Sequence, residues 1–196
     1  MNTPILETKR LILRKFLDKD IKALFRILKD EEVNKFLPWY PVKTIEETKE
    51  FYEKRYKEKY KLSQAYAYAI CLKNDDVPIG YVNVDITDTY ELGYGLLKEF
   101  WHQGIVTEAV KAVVEQIKKD GIPYIIATHD INNPRSGKVI QQIGMKYCYS
   151  YEECVQPKNI LVTFRMYQLN FEENSSFIYK KFWNMYENHF IEEDIE

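Results

Sequence analysis

The stretch from Tyr90 to Val106, YELGYGLLKEFWHQGIV, followed by TEAVKAVVEQIKK, constrains this chain most. The apolar run carrying Gly93 and Gly95 reads as a strand, Glu91 to Leu97, and His102-Gln103-Gly104 as a tight turn. A helix is predicted to open at about Thr107 and run to Asp120, with Val110, Val113, Val114 and Ile117 on one packed face. Gly121-Ile122-Pro123 ends it. A strand, turn and helix joined in this way aim several free backbone N–H groups at one point, beside the positive end of a helix dipole. That is a natural anion site, and its donor set suits a diphosphate.

The remaining pattern fixes the fold class. Leu11 to Phe16 reads as a first strand. Asp18 or Asp20 caps a helix through Leu28, with Ile21, Leu24, Phe25 and Leu28 on one face. A short helix is predicted from Asp30 to Phe36, stopped near Pro38. Thr44 with Glu47 three residues on forms a capping-box pattern for a longer helix, whose stripe is Ile45, Thr48, Phe51, Tyr52 and Tyr56. Tyr66 to Leu72 and Pro78 to Asp85 read as strands around the turn signal Asn74-Asp75-Asp76. After the central helix come a strand Tyr124 to His129, a helix Arg135 to Ile143 closed by Gly144, and strands Met145 to Glu153 and Ile160 to Asn170. The order β, helices, βββ, α, β, α, ββ predicts an α+β fold around a mixed sheet. Ser175 or Ser176 is expected to cap a final helix with Ile178, Phe182, Met185, Tyr186 and Phe190 on one side. Docking of that tail on the same core is the expected outcome, over a surface for a partner.

The 196 residues suit one domain with an appendage, divided at 1–171 and 172–196. A net charge of −2, with the two signs interleaved, argues against a nucleic-acid module. Cys71, Cys148 and Cys154 form neither a metal nor a disulfide pattern, which fits a reducing cytoplasm. Cys71 and Cys148 fall in strand-like runs and read as core residues. No signal peptide and no run of transmembrane length is apparent, so no membrane partner is expected. His102 and His129 have no metal-ligand spacing with other residues, and no metal is expected.

Three segments in order carry a family resemblance. ETKRLILRKF (7–16), ELGYGLLKEFWHQGIVTEA (91–109) and NPRSGKVIQQIGM (133–145) are similar to the first strand, the core motif and the Asn-x-x-Ser helix of the GNAT N-acetyltransferase superfamily. Within it the chain resembles the RimJ/RimL-type ribosomal-protein-alanine acetyltransferases. The resemblance spans about residues 5–170. The superfamily loop is commonly Gln/Arg-x-x-Gly-x-Gly/Ala; here Trp101 and Val106 stand at its ends, His102 replaces a frequent glycine, and Gly104 alone is kept.

The resemblance implies a GNAT-like, mostly antiparallel mixed sheet flanked by helices, with the C-terminal helix as an addition. It implies acetyl-CoA as acyl-donor cosubstrate and direct transfer of the acetyl group to a primary amine. That amine is a protein N-terminus or a small molecule, and the enzyme is a monomer or homodimer. A catalytically silent acyl-CoA-binding sensor or interaction module is the rival of a different class.

By the same resemblance, Leu96 and Leu97 end a strand whose free groups pair with the pantetheine arm. His102, Gln103, Gly104, Ile105, Val106 and Thr107 supply the diphosphate loop. Asn133 caps its helix, contacts the cofactor, or does both. Lys138 pairs with a CoA phosphate. Ser136 places a hydroxyl near the CoA sulfur, the alternative being an ordinary helix-start serine; Tyr147 is the second candidate for the acid. Glu91 relays the ammonium proton directly or through water, or else is a solvent-facing strand carboxylate. Phe36, Trp39 and Tyr40 stand on the acceptor side or simply pack the core.

Overall fold

The structure, a computed structural model, describes residues 2–87, 89–172, 175–193 and 195. The first sheet orders five antiparallel strands as β1 (Leu6–Glu7), β2 (Leu11–Arg14), β3 (Tyr66–Leu72), β4 (Pro78–Val84) and β5 (Leu92–Leu96). Its middle strand, β3, alternates Tyr, Ala and Ile and is buried on both faces, as strand-forming residues between two helical layers should be. The second sheet orders β6 (Tyr124–Asp130), β8 (Ile160–Asn170), β7 (Lys146–Val155) and β9 (His189–Phe190).

One point joins the sheets. β5 and β6 run parallel, bridged at Glu91 and Ile126, where the Ile126 N–H donates to the Tyr90 carbonyl at 3.2 Å. Beyond that bridge no named strand pairing holds β5 to β6 among the described residues, so the strands diverge towards their C-terminal ends. A V-shaped gap opens there.

Helices cover both faces. α1 (Ile21–Lys29) packs on α2 (Ile45–Tyr52), which passes through a π turn at Glu53–Lys57 into one-turn α3 (Glu58–Tyr60). α4 (Ile105–Lys119) and α5 (Pro134–Gln142) lie on the other face. Strand alternation sorts the side chains between them. Tyr66, Tyr68, Val82, Val84 and Tyr94 point towards α4 and α5, and Tyr66 donates to Asp120 at the end of α4 at 2.7 Å. Tyr81, Asn83, Gly93 and Gly95 point towards α1 and α2.

Several expectations are corrected. The helix expected over Asp30 to Phe36 is a run of turns. Asp30 Oδ1 takes the N–H groups of Glu32 and Val33 at 2.9 and 3.0 Å, and the buried Asn34 amide donates to the carbonyls of Ile27 and Asp30, so side chains outcompete the helical ladder. The central helix opens at Ile105 rather than Thr107, because Gly104 takes φ of +70° and turns the chain into it two residues sooner. At Thr44 the cap accepts from Glu47 N–H at 3.1 Å as expected, but Glu47 reaches back to Lys43 N–H rather than to Thr44.

The C-terminal segment docks on the core as a strap, in which, among the described residues, only Lys181–Met185 (α6) is helical. Gln168 and Asn170 of β8 take its backbone groups at Phe177 and Tyr179, and β9 pairs with β7 at Ser150 and Tyr151. Those bonds, and the modest helix propensity of Phe, Trp, Tyr and Asn, keep the expected longer helix from forming. Ile178, Met185 and Phe190 are exposed, while Tyr179, Phe182, Trp183 and Tyr186 pack against Tyr149 and Tyr151.

Candidate active site

The gap between β5 and β6 continues into a cleft of about 940 Å³ that reaches both faces of the sheet. On the α4–α5 side its rim is the loop from Trp101 to Thr107. His102 and Gly104 both take left-handed φ, +60° and +70°. For His102 that conformation costs roughly 1–2 kcal/mol, which explains physically why glycine is frequent at this position in the pattern the loop resembles. Among the described residues the backbone N–H groups of His102 through Thr107 find no acceptor within the protein. Six such donors stand together at the start of a fifteen-residue helix, the arrangement that binding of an anion would need.

A set of side-chain contacts holds the loop in place. Arg10 donates from Nη1 to the Gln103 carbonyl at 2.9 Å and from Nε to Glu108 at 2.7 Å. Glu108 also accepts from the Thr8 hydroxyl at 2.6 Å and the Arg10 amide at 3.0 Å. Burial opposes the ionised form of Glu108, but the Thr8 and Arg10 bonds win and hold its pKa below the usual carboxylate value. Thr107 donates to Gln142 of α5 at 2.9 Å. The Arg135 guanidinium lies over the Trp101 ring, 4.4 Å from its centroid, and the Trp101 indole N–H donates to the Leu96 carbonyl at 2.8 Å.

At the mouth of the gap Ser136 and Tyr94 form a hydroxyl pair. The Tyr94 hydroxyl is 2.8 Å from the Ser136 carbonyl and 2.9 Å from Ser136 Oγ. Burial raises the Tyr94 pKa, partly offset by the bond to Ser136. Asn133 Oδ1 accepts from Ser136 N–H at 3.4 Å, capping α5, while Asn133 also lines the cleft.

Across the gap, on the α1–α2 side, stands Glu91. The Thr128 hydroxyl donates to Glu91 Oε1 at 2.7 Å, and the other oxygen has no donor among the described residues. Burial lifts the Glu91 carboxyl above its usual range; the Thr128 bond opposes the lift, and the charges of Asp85 and Glu153 add to it. Further along the same face of the strand Gly95 is required: a Cβ there would lie 2.6 Å from the Tyr81 ring.

The cleft thus brings together Glu91, Leu96, His102, Gly104, Ile105, Val106, Thr107, Asn133, Ser136 and Lys138 from the expected set. Gln103 is exposed beside it, its amide free and its side chain turned back to the Glu99 carbonyl. Leu97 and Tyr147 stand apart. Leu97 is buried and commits its N–H to Ile79 at 2.9 Å, which leaves no donor for a ligand. The Tyr147 hydroxyl is engaged with Ser150 and with Glu192 N–H, under the strap. Phe36 and Trp39 line the cleft from the turn segment, whereas Tyr40 is exposed. Cys71 is fully buried, and burial pushes its thiol up to about 12.

Sequence reasoning missed Tyr94, Thr128, Arg135 and the Arg10–Glu108 anchor. Tyr94 was legible from alternation along β5, which sends it to the α5 face; the others depend on contacts between distant segments.

The family profile described as Acetyltransferase (GNAT) domain matches residues 10–146. The chain belongs to the GNAT acetyltransferases. It is 30% identical over 156 residues, 78% of this chain and 88% of the relative, to the uncharacterized N-acetyltransferase YnaD of Bacillus subtilis. A GNAT-family acetyltransferase from Bacillus anthracis superposes with a TM-score of 0.76 at 26% identity, covering 87% of this chain and all of that one. RimL, a ribosomal L7/L12 alpha-N-protein acetyltransferase solved with coenzyme A, shares the fold at a TM-score of 0.69 and 20% identity, over 85% of this chain and 98% of its own. No helix among the described residues is long and apolar enough to cross a membrane.

Proposed function

We propose that this chain transfers an acetyl group from acetyl-CoA to a primary amine by direct attack, and that it falls in the RimJ/RimL-like branch. The observation that carries the reading is the placement of six free backbone donors, His102 to Thr107, on one side of the β5–β6 gap and a lifted carboxylate, Glu91, on the other. The loop holds the diphosphate, with Lys138 and Arg135 beside it. The open edge of β5 at Leu96 receives the pantetheine arm. The coenzyme found with RimL and the matching fold support this assignment. Residues 1–171 act as the acyltransferase domain and 172–196 as its extension. Three unpaired cysteines fit an enzyme of the cytoplasm.

Glu91 removes the ammonium proton, directly or through one water. Its raised pKa makes it a better base than an exposed carboxylate. The neutral amine then attacks the thioester carbonyl, the tetrahedral adduct expels the thiolate with the bonding pair, and the second proton leaves the nitrogen for solvent as the thiolate takes one up, giving amide and free thiol. Ser136 stabilises that thiolate. Its Oγ–H turns to the sulfur while Tyr94 shifts its own hydrogen from the Ser136 carbonyl to Ser136 Oγ, so the two hydroxyls act as a unit. Serine is a weak acid, and its contribution is chiefly a hydrogen bond that strengthens as charge grows. Holding both reactants in one cleft supplies much of the remaining rate.

Thiol release from acetyl-CoA across a broad panel of amines and short peptides tests the reading. Turnover with any primary amine supports it. Tight acetyl-CoA binding with no thiol release across the panel replaces it with the silent-binder reading.

A further inference from the structure

The acceptor end of the cleft is completed by residues outside the segment that matches the family. Phe182 and Tyr186 line the cleft and belong to the C-terminal strap. The Tyr186 ring lies 4.8 Å from that of Tyr151 and within 9° of parallel, and the Phe182 ring lies 5.0 Å from Tyr151 at 30°. The Phe182 and Tyr186 rings are themselves 6.4 Å apart, so Tyr151 packs against a pair of adjacent strap aromatics. The Tyr186 hydroxyl sits beside the Glu153 carboxylate, and the Tyr151 hydroxyl lies within the field of both Glu91 and Glu153. On the same face Tyr81 is only 4% exposed, lines the cleft, and carries a hydroxyl with no hydrogen-bond partner among the described residues. A buried orphan hydroxyl of this kind calls for a partner from outside the protein.

We propose that the strap is part of the acceptor subsite, with Tyr186 and Phe182 as specificity-determining residues that hold Tyr151 and Glu153 for an acceptor bearing a second ammonium beside its reactive amine. The proposal rests on the transferase reading. The nitrogen that attacks must be neutral, and Glu91 suffices to remove its proton. Glu153, whose carboxylate accepts from the neutral Tyr186 hydroxyl, the aromatic faces and the Tyr81 hydroxyl then remain, and each suits a cation or an N–H donor. Of the nearby protein cations, Arg55 lies over the Trp39 and Phe51 rings, and burial lowers the Lys59 pKa, opposed by the charge of Asp85. A small diamine fits this set; a monoamine leaves the second carboxylate uncompensated.

The test compares putrescine with n-butylamine, and cadaverine with n-pentylamine, on the full chain saturated with acetyl-CoA. Each diamine should show kcat/KM about tenfold or more above its monoamine, chiefly through KM. Glu153→Gln, which keeps the side chain's shape, should bring the ratio towards unity by raising the diamine KM, with CoA affinity unchanged by calorimetry. Tyr186→Leu should do the same, and Tyr186→Phe, which keeps the stack, should restore part of the ratio. If Tyr186→Leu fails to fold, Glu153→Gln decides alone. Equal use of diamine and monoamine, or an unaltered ratio in Glu153→Gln, overturns the proposal. Absence of thiol release with every amine refutes the transferase reading instead. Titration of putrescine into the CoA-loaded protein then decides the subsite, with binding lost in Glu153→Gln supporting it and no binding overturning it.

Discussion

Glu108 is the point at which the first-strand segment and the Thr-Glu-Ala segment meet, and its removal should loosen the His102–Thr107 loop from below. The carboxylate accepts from the Thr8 hydroxyl at 2.6 Å, the Arg10 amide at 3.0 Å and Arg10 Nε at 2.7 Å. Arg10 is 42% exposed, so its ion pair counts for at most about 1 kcal/mol. The two remaining bonds contribute about 1 kcal/mol each once water replaces part of what is lost. Glu108→Ala should therefore cost about 2–3 kcal/mol, and Glu108→Gln, whose amide oxygen still accepts, about 1 kcal/mol. For a chain of this size the alanine variant should melt about 5–10 °C lower.

The same group sets a pH dependence. Its pKa is depressed in the folded state, so its contribution is present above the unfolded value of about 4.3 and is lost as pH falls through the folded value. The gap between wild type and Glu108→Ala should accordingly close in acid. Because Arg10 also holds the Gln103 carbonyl, CoA affinity should fall several-fold in the alanine variant. Thermal melts by circular dichroism at neutral and acidic pH, with calorimetric CoA titrations, provide the check. A Glu108→Ala protein within about 0.5 kcal/mol of wild type, with unchanged CoA affinity, refutes the anchoring argument.

Three further variants probe the chemistry. Ser136→Ala should lower kcat about ten- to a hundredfold with little change in CoA affinity, and Tyr94→Phe should follow it in the same direction; an unchanged kcat beside a lowered melting temperature makes Ser136 a helix-start residue only. Glu91→Gln should abolish the acidic limb of the pH–rate profile: in wild type activity falls as pH drops through the lifted Glu91 pKa, so a limb that persists in the variant assigns the base elsewhere.

The loop and the sheet were legible because their signals are local. Alternating apolar residues with turn signals at Asn74-Asp75-Asp76 define β3 and β4, and the ends of β3 and β8 fall where the pattern puts them. The cradle followed from a strand, a short turn with glycine and an amphipathic helix. The turns at 30–36 were not legible, because Asn34 and Asp30 win there through side-chain bonds that helical periodicity does not encode. The strap was misread for a related reason. Its aromatics recur at spacings that suit a helix, but they are spent on Tyr149 and Tyr151, brought near by the β7–β8 pairing. Leu97 was carried over by motif position and Tyr147 as a tyrosine near Ser136, and only tertiary packing shows that one is buried and the other turned to the strap. Tyr94 needed the further step of asking which face of β5 meets α5.

The measurement closest to the central claim compares ligands that differ only in what the loop should grip. Acetyl-CoA at about 100 times its dissociation constant should add about 2.7 kcal/mol, a melting shift of roughly 5–10 °C, whereas acetyl-pantetheine, which lacks the diphosphate and nucleotide, should give little shift at the same concentration. In Gly104→Val the acetyl-CoA shift should collapse to the pantetheine level, because a branched side chain cannot hold φ near +70° and the six amides lose their common focus. Equal shifts from the two ligands, or an acetyl-CoA shift that survives Gly104→Val intact, would contradict the assignment of His102 to Thr107 as the diphosphate cradle.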